Sequence, residues 1–280
     1  MRANKKNTRR TLFYIGLIIF LIVDLFPFFM MILVSLKSTK EAIQFPPTFF
    51  PNKATLEHYK SIFDPKIFPF LTYFKNSMIV SLSASAISVI FGILSGYGLS
   101  KLRFMGRTVI NNSFYTVYMF SGILLVVPLF KIISSLGLYN HLQSLIITMI
   151  VETLPTSVYM LKSFFDTLPE EIEEAGLIDG LNRIQLIIRI IVPLSISGIV
   201  SVFVYAFMVS WNDYLFASVF ISSSDLFTLS IGLNSLFNRA DYIWGRMMAS
   251  AIVTSVPVVI MYGLSDWFMR KGTTEGGVKG

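Results

Sequence analysis

The chain has 280 residues, of which 54% are hydrophobic and 14% charged, with a formal net charge of +7 and a mean hydropathy of +0.68. Soluble domains use roughly 45–50% apolar and about 25% charged residues, so this composition excludes a soluble globular protein and predicts a polytopic membrane protein. Cysteine is absent, which excludes disulfides, iron–sulfur clusters and thiol nucleophiles. The two histidines, His58 and His141, lack the spacing of metal ligands. The sequence therefore predicts no metal site and no cofactor.

Six stretches are long and apolar enough to cross a bilayer, which takes about 20 residues in a helix. They are continuous runs rather than alternations of about ten residues, so we expect helices and not barrel strands. The first stretch follows a basic tail, as in a signal peptide, but it is too long and no A-x-A cleavage site follows it. The predicted fold class is an all-α membrane protein with six transmembrane helices. The predicted spans are residues 12–36, 76–99, 109–133, 142–161, 194–221 and 247–269.

Lysine and arginine predict the orientation of these spans. Of the 23 basic residues, 14 lie in the two terminal tails and in the connections after the second and fourth spans. The positive-inside rule places that side, with both termini, in the cytoplasm. The loop 37–75 carries six lysines, but it is long and therefore counts less. The predicted segments are cytoplasmic tails at 1–11 and 270–280, a first span at 12–36, an extracytoplasmic loop at 37–75 and a five-span core at 76–269.

Small residues repeat every four positions along the second span, at Ala84, Ser88, Gly92 and Gly96. This spacing places them on one face of a helix, where a neighbouring backbone can approach closely. The pattern predicts tight helix packing and does not by itself indicate a functional site.

The connection between the fourth and fifth spans begins with signals for a helix. Thr167 and Glu170 have the T-x-x-E spacing of a capping box, with Pro169 in the first turn. Acidic side chains then crowd the positive end of the helix dipole, which favours them. The residues Ile172, Ala175, Gly176 and Asp179 fall on one face of this helix.

A second helix is predicted to follow a left-handed turn at Gly180. Asn182 and Gln185 can cap this helix, and Pro193 is expected to stop it or bend it into the fifth span. Residues 167–193 therefore form a predicted cytoplasmic helix–turn–helix. Its second helix is expected to present Ile184, Ile187, Ile188 and Ile191 on one face.

The charge of this hairpin indicates what it contacts. An amphipathic hairpin lying on the membrane surface is normally rich in lysine and arginine, because the inner leaflet is anionic. The sequence Glu-Glu-Ile-Glu-Glu at 170–174 would be repelled there. A protein partner with a complementary cleft is favoured, with Ala175 and Gly176 small enough to allow close contact.

The hairpin resembles the EAA signature of ATP-binding-cassette importer permeases, which reads E-A-A, then G, then I-x-L-P at the same spacing. Two positions depart from the signature, namely Gly176 for the second alanine and Val192 for leucine. The resemblance implies that this hairpin is the coupling helix that docks on a cytoplasmic ATPase. The matching coupling residues are Glu174, Ala175, Gly176, Asp179, Gly180, Ile190 and Pro193.

Two further stretches are similar to the carbohydrate-uptake subfamily of these permeases: residues 210–217, which read SWNDYLFA, and the ending 277–280, which reads GVKG. Six spans with both ends inside match the smaller permease of maltose-type importers. The resemblance implies a non-catalytic subunit in the cell membrane that forms half of a sugar path. The implied partners are a sister permease in a heterodimer, two cytoplasmic ATP-binding subunits and an extracytoplasmic sugar-binding protein, with membrane lipid around the spans and no nucleic acid.

Ionisable and polar residues inside the apolar stretches are functional candidates, because charge is expensive in a bilayer. Asp24 lies near the middle of the first span and Glu152 near the middle of the fourth, although either could instead be a structural, hydrogen-bonded carboxylate. Trp211, Asn212 and Asp213 either form an aromatic belt at the outer interface or lie at depth on a sugar path. The substrate-path candidates are Asn212, Asp213, Trp211 and Glu152.

Two other function classes compete with the importer subunit. A proton-coupled secondary transporter would use Asp24 and Glu152, but it leaves the acidic hairpin without a role. An intramembrane enzyme has less support, because no Ser/His/Asp, H-E-x-x-H or paired-aspartate constellation is present. No G-x-x-x-x-G-K-[ST] occurs either, so ATP hydrolysis is expected on a separate subunit.

Overall fold

The computed structural model describes residues 2–119, 122–237 and 243–275, and within these ranges it is helical and contains no strand. The ending 277–280, which carries one of the sequence resemblances, lies outside the described residues. The helices are α1 (Arg2–Ser35), α2 (Thr39–Ala42), α3 (Glu57–Ile62), α4 (Phe70–Lys101), α5 (Arg107–Tyr118), α6 (Gly122–Ser135), α7 (Leu142–Asp166), α8 (Glu170–Ile178), α9 (Arg183–Leu186), α10 (Val192–Leu194), α11 (Ile196–Trp211), α12 (Leu215–Phe220), α13 (Leu229–Phe237) and α14 (Trp244–Glu275), with a π-helical segment at Ile187–Ile191 and a 3₁₀ turn at Ser224–Leu226.

Within the described residues, four single helices are long and apolar enough to cross a membrane, namely α1, α4, α7 and α14. Two further pairs of helices qualify only if each bent pair counts as one span, which gives up to six. One pair is α5 with α6, and the other joins residues 183–194 to α11 through a bend of 85°. The bend after residues 183–194 agrees with the expectation that Pro193 stops the second hairpin helix or bends it into the fifth span. The third stretch is divided between α5 and α6, and the fifth between α11 and α12, where the sequence predicted one helix each.

The bend at the start of the fifth stretch and the break between α11 and α12 are both local features of the backbone. Pro193 has no N–H and its ring crowds the preceding turn, and the backbone widens there into a π-helix in which the Val192 N–H bonds the Ile187 carbonyl. Ser195 then leaves the helical conformation, with φ −104° and ψ 12°. At the other end α11 stops at Trp211, and α12 begins only at Leu215.

Residues 1–70 and 233–255 form one compact unit, and residues 71–232 and 256–280 form another. In the first unit, the segment after α1 folds around the buried carboxylate of Glu41. That carboxylate accepts hydrogen bonds from the Asn52 N–H at 2.8 Å and the Thr48 hydroxyl at 3.1 Å. Lys37 donates to the Thr48 carbonyl and fixes the same turn.

The second unit has two apolar clusters. One joins α4, α6, α7 and α12 through residues such as Ala84, Met149 and Phe220. The other joins α4 and α7 to the helices after Gly180, through residues such as Leu161 and Leu186. Because the second cluster contains Leu186, Ile187 and Ile191, the predicted cytoplasmic hairpin is packed into the helical core and is not a free loop.

The small-residue ladder of α4 packs against α7, as the sequence predicted. Ser88 shares a 2.7 Å hydrogen bond with Thr153. A Cβ added at Gly96 would lie 3.1 Å from the Lys162 backbone nitrogen and 3.3 Å from the Leu161 Cβ. Such close backbone approach is what small residues allow between membrane helices.

Candidate functional site

The first helix of the hairpin, α8, begins differently from the prediction. Thr167 does not cap it, because its hydroxyl donates to the Phe164 carbonyl at 2.6 Å and the residue closes α7. Pro169 occupies the N-cap position with extended backbone. The capping box was therefore wrong, while the acidic first turn of Glu170, Glu171 and Glu173 is present.

The turn and the second helix follow the prediction. Gly180 has φ +83°, and the Leu181 N–H bonds the Gly176 carbonyl at 3.1 Å, the six-to-one bond of a Schellman turn. The Asn182 side chain accepts from the Gln185 N–H at 2.9 Å, and the Gln185 side chain accepts from the Asn182 N–H at 3.0 Å. This reciprocal capping box starts α9.

The residues predicted to share one face of α8 differ in burial. Glu173 and Gly176 are buried, whereas Ala175 and Asp179 are exposed. A Cβ at Gly176 would lie 2.9 Å from the Ile190 Cδ1 and 3.1 Å from the Leu186 Cδ1. Gly176 is thus small because the second half of the hairpin packs on it, and it is not available to a partner.

An ionic network ties the hairpin to the transmembrane helix α4. The Arg183 guanidinium donates to the Glu173 carboxylate, and the Tyr97 hydroxyl donates to the same carboxylate at 2.8 Å. The Lys101 ammonium donates to the Leu168 carbonyl at 2.7 Å, just before α8. These contacts hold the hairpin at a fixed angle to the bundle. Sequence reasoning missed Tyr97 and Arg183, because nothing in the chain order signals that they meet Glu173.

The opposite face of α8 is exposed and carries both apolar and acidic groups. Ile178 is 86% exposed, and Glu171, Glu174 and Ala175 are exposed beside it. On the second half of the hairpin, Ile184 and Ile188 are exposed, although the prediction had placed them on the same face as the buried Ile187 and Ile191. Ile184 and Ile188 therefore lie on the solvent side of the hairpin, and Ile187 and Ile191 on its packed side. We define the exposed residues 171, 174, 175, 178, 184 and 188 as the docking face.

The four substrate-path candidates occupy different environments. Trp211 is 3% exposed and stacks on Phe207 with ring centroids 5.5 Å apart, so it is a packing residue in this chain and not an open aromatic platform. Asn212 is exposed, with its amide donating to the Met208 carbonyl at 2.8 Å. Asp213 caps α12, accepting from the Phe216 N–H at 3.2 Å and the Ala217 N–H at 3.0 Å.

Glu152 lies beside a small polar cavity of about 80 Å³ between α7 and its neighbours. The cavity is also lined by Thr156 and Tyr205. The charges of Glu152 and Asp213, which are 61 positions apart in the sequence, repel each other electrostatically. Asp24, by contrast, is exposed on α1 and forms no salt bridge among the described residues.

The described residues contain no cluster of three or more histidines or carboxylates that could hold a metal ion.

Comparison with known proteins identifies the family. Residues 88–272 match the family described as "Binding-protein-dependent transport system inner membrane component". The chain is 62% identical over its whole length to an inner membrane ABC transporter permease protein, YcjP, of Escherichia coli (strain K12), and it covers all of that protein. It is 34% identical to the trehalose/maltose transport system permease protein MalG of Thermococcus litoralis, covering 97% of this chain and 98% of that protein.

A solved structure shows the same fold. It is a bacterial ABC transporter involved in the import of the acidic polysaccharide alginate, with a TM-score of 0.81 at 20% identity, covering 94% of this chain and 96% of that one. Membership of a binding-protein-dependent family favours the importer over the proton-coupled alternative. The chain belongs to the binding-protein-dependent transport system inner membrane components, as a multi-pass permease subunit of an ATP-binding-cassette importer in the cytoplasmic membrane.

Proposed function

We propose that this permease forms half of the translocation path for a sugar, in a heterodimer with a sister permease. Six spans with both termini in the cytoplasm would place residues 167–193 on the cytoplasmic side. Two ATP-binding subunits there would hydrolyse ATP, and an extracytoplasmic sugar-binding protein would deliver the substrate. The chain itself would carry no catalytic residue. The trehalose/maltose permease of Thermococcus litoralis supports a sugar as the substrate.

The docking face carries the proposal for ATPase coupling. A side chain as apolar as Ile178, at 86% exposure, gains free energy when a partner covers it. Glu171 and Glu174 beside it favour a cleft with basic groups and disfavour the anionic membrane surface. The hydrogen bonds that join Glu173 to Arg183 and to Tyr97 of α4 support the transmission of a displacement of the hairpin to α4.

The roles of the individual coupling residues follow from their positions. Glu174, Ala175 and Asp179 are exposed and would contact the ATPase directly. Gly176, Gly180, Ile190 and Pro193 would act by shaping the hairpin: Gly176 and Ile190 pack on each other, and Gly180 provides the left-handed turn. For the sugar path, Glu152, Asn212 and Asp213 remain candidates, whereas Trp211 would act through packing.

The experiment is co-purification of the ATPase with membrane-inserted variants of the permease. Ile178→Asp and Glu174→Lys should each lower the amount of bound ATPase about tenfold, which corresponds to ~1.4 kcal/mol of binding free energy. Met105→Asp is the matched control, since Met105 is fully exposed in the connection between α4 and α5. Normal recovery of the ATPase with both hairpin variants would show that this face does not dock it.

A further inference from the structure

We propose that a cavity between α5 and α7 is a saccharide-binding subsite, with Tyr115 and Tyr159 as its stacking platform. The inference deepens the proposed sugar-transport function and rests on it. The cavity has a volume of about 340 Å³, within the range of about 300–1,000 Å³ found for small-molecule sites. It is lined by Asn111, Phe114, Tyr115, Val158, Tyr159 and Lys162.

The two tyrosines have the geometry of an open aromatic corner. Their ring centroids are 5.3 Å apart and the planes are inclined by 65°. Such an edge-to-face pair covers only one face of one ring, and the residues remain 40% and 46% exposed. A sugar ring has a C–H face that packs on an aromatic face and hydroxyls at its rim. Tyrosine offers an apolar ring and a polar hydroxyl to match both.

The polar groups at the cavity indicate a neutral ligand. The Lys162 ammonium is already paired with the Asp166 carboxylate at 2.7 Å, and Ser100 donates to the same carboxylate at 2.7 Å. The Asp166 carboxylate beside Lys162 disfavours the phosphate of an anionic lipid. Asn111 supplies an amide that both donates and accepts hydrogen bonds. An apolar wall with a few such groups fits a neutral saccharide better than a lipid headgroup.

The cavity lies along the same face of α7 as the small polar cavity beside Glu152. Glu152, Thr156 and Tyr159 are spaced i, i+4 and i+7 on α7, so they share one helix face. Glu152 and Thr156 line the polar cavity, and Tyr159 lines the proposed subsite. The same helix then continues to Asp166, immediately before the hairpin. The subsite is therefore placed where a sugar would pass on its way from mid-membrane towards the hairpin side.

The test uses the complete importer reconstituted in liposomes with radiolabelled trehalose and maltose as probes. Tyr159→Ala and Tyr115→Ala should each lower the maximal rate of ATP-driven uptake at least fivefold, and Tyr159→Phe should restore it because the ring is retained. Tyr262→Ala, at an exposed tyrosine of α14, is the matched control. ATP hydrolysis stimulated by the loaded binding protein should fall less than uptake, because the hairpin is unchanged.

A second measurement detects occupancy directly, using the absence of cysteine in the natural chain. The rate of maleimide labelling of Asn111→Cys should fall at least threefold when the importer transports the probe sugar at a saturating concentration, compared with the rate without sugar. Ser113→Cys, exposed elsewhere on α5, should label at an unchanged rate.

The outcomes separate the two proposals. No uptake of either probe by the wild-type importer would refute the proposed function for these sugars, and the subsite with it. Normal wild-type uptake with unaffected tyrosine variants and no sugar protection of Asn111→Cys would overturn the subsite alone. If the tyrosine variants lose activity only at certain contents of anionic phospholipid in the liposomes, the cavity is a lipid site, and the saccharide subsite is overturned.

Discussion

At the scale of single residues, close backbone approach is what makes glycine necessary in α4. Gly96 and Gly98 are both helical, but only Gly96 faces α7, where an added Cβ would meet the Lys162 backbone nitrogen at 3.1 Å. A Cβ at Gly98 has no atom within 4 Å among the described residues. The sequence ladder distinguishes the two correctly, since Gly96 continues the four-residue repeat and Gly98 does not.

We therefore expect Gly96→Val to destabilise the protein by about 1–3 kcal/mol, the usual cost of overpacking. A backbone atom cannot rotate away as a flexible side chain does, so α7 must shift. Gly98→Val is the control and should stay close to the wild type. Thermal unfolding of the two variants in detergent checks this, and equal midpoints would contradict the packing seen between α4 and α7.

At the scale of elements, the hairpin is rigid for reasons of both sequence and packing. The Gly180 turn and the Asn182–Gln185 capping box are local and were predicted. The direction in which the hairpin points is fixed by Glu173, Arg183 and Tyr97, which join three elements. A hydrogen-bonded carboxylate between two such partners is costly to disrupt when buried.

The short helix α3 contains a second element-scale feature, the buried His58. The residue is 2% exposed, and its ring packs on Gly245, where an added Cβ would overlap Nε2 at 2.1 Å. Nε2 lacks a hydrogen-bond partner among the described residues. The Glu57 carboxylate lies 3.7 Å away, and the Arg246 charge opposes protonation.

Burial lowers the pKa of His58 below its usual value of 6.5, and this gives a pH dependence with a defined sign. Below pH 6.5 the unfolded or opened state binds a proton that the packed state does not, so stability falls as the pH falls through this window. Above pH 6.5 the stabilisation is complete. We expect the hydrogen-exchange protection of α3, corrected for intrinsic rates, to decrease between pH 7.5 and pH 5.

The control for this prediction separates His58 from other titrating groups. His58→Gln should remove the pH dependence of α3 protection, whereas His141→Gln, at the exposed N-cap of α7, should keep it. Protection of wild-type α3 that does not change with pH would rule out the buried histidine as its cause.

At the scale of the whole molecule, the proposed orientation can be tested by introducing single cysteines, because the sequence contains none. Phe45 and Met105 are both fully exposed, in the 37–75 loop and in the connection after α4. With both termini in the cytoplasm, a membrane-impermeant maleimide should label Phe45→Cys in intact cells. Met105→Cys should react only after permeabilisation. Labelling of both from outside, or the reverse pattern, would contradict the proposed orientation.

The sequence alone determined the class of the molecule, because apolar run length, charge asymmetry and the spacing of Glu174, Gly180 and Pro193 are local properties. Apart from the bend expected at Pro193, it did not determine where the helices break. The 109–133 and 194–221 runs are apolar enough on average to be taken for continuous spans, and hydropathy alone does not show that α5 ends at Tyr118 or that α11 ends at Trp211.

Only the tertiary structure decided which side chains are free to act. Trp211 and Gly176 looked available for function, yet packing against Phe207 and Ile190 buries them. Tyr97 and Glu173 are 76 positions apart, a separation that no local sequence pattern can relate. Tyr115 and Tyr159 meet only because α5 packs on α7. Side-chain periodicity specifies which face of a helix is apolar, but what covers that face depends on the neighbouring helices. The chain's own sequence thus determined that it is a permease, and the packing of its helices decided which residues are buried and which are exposed for the contacts proposed above.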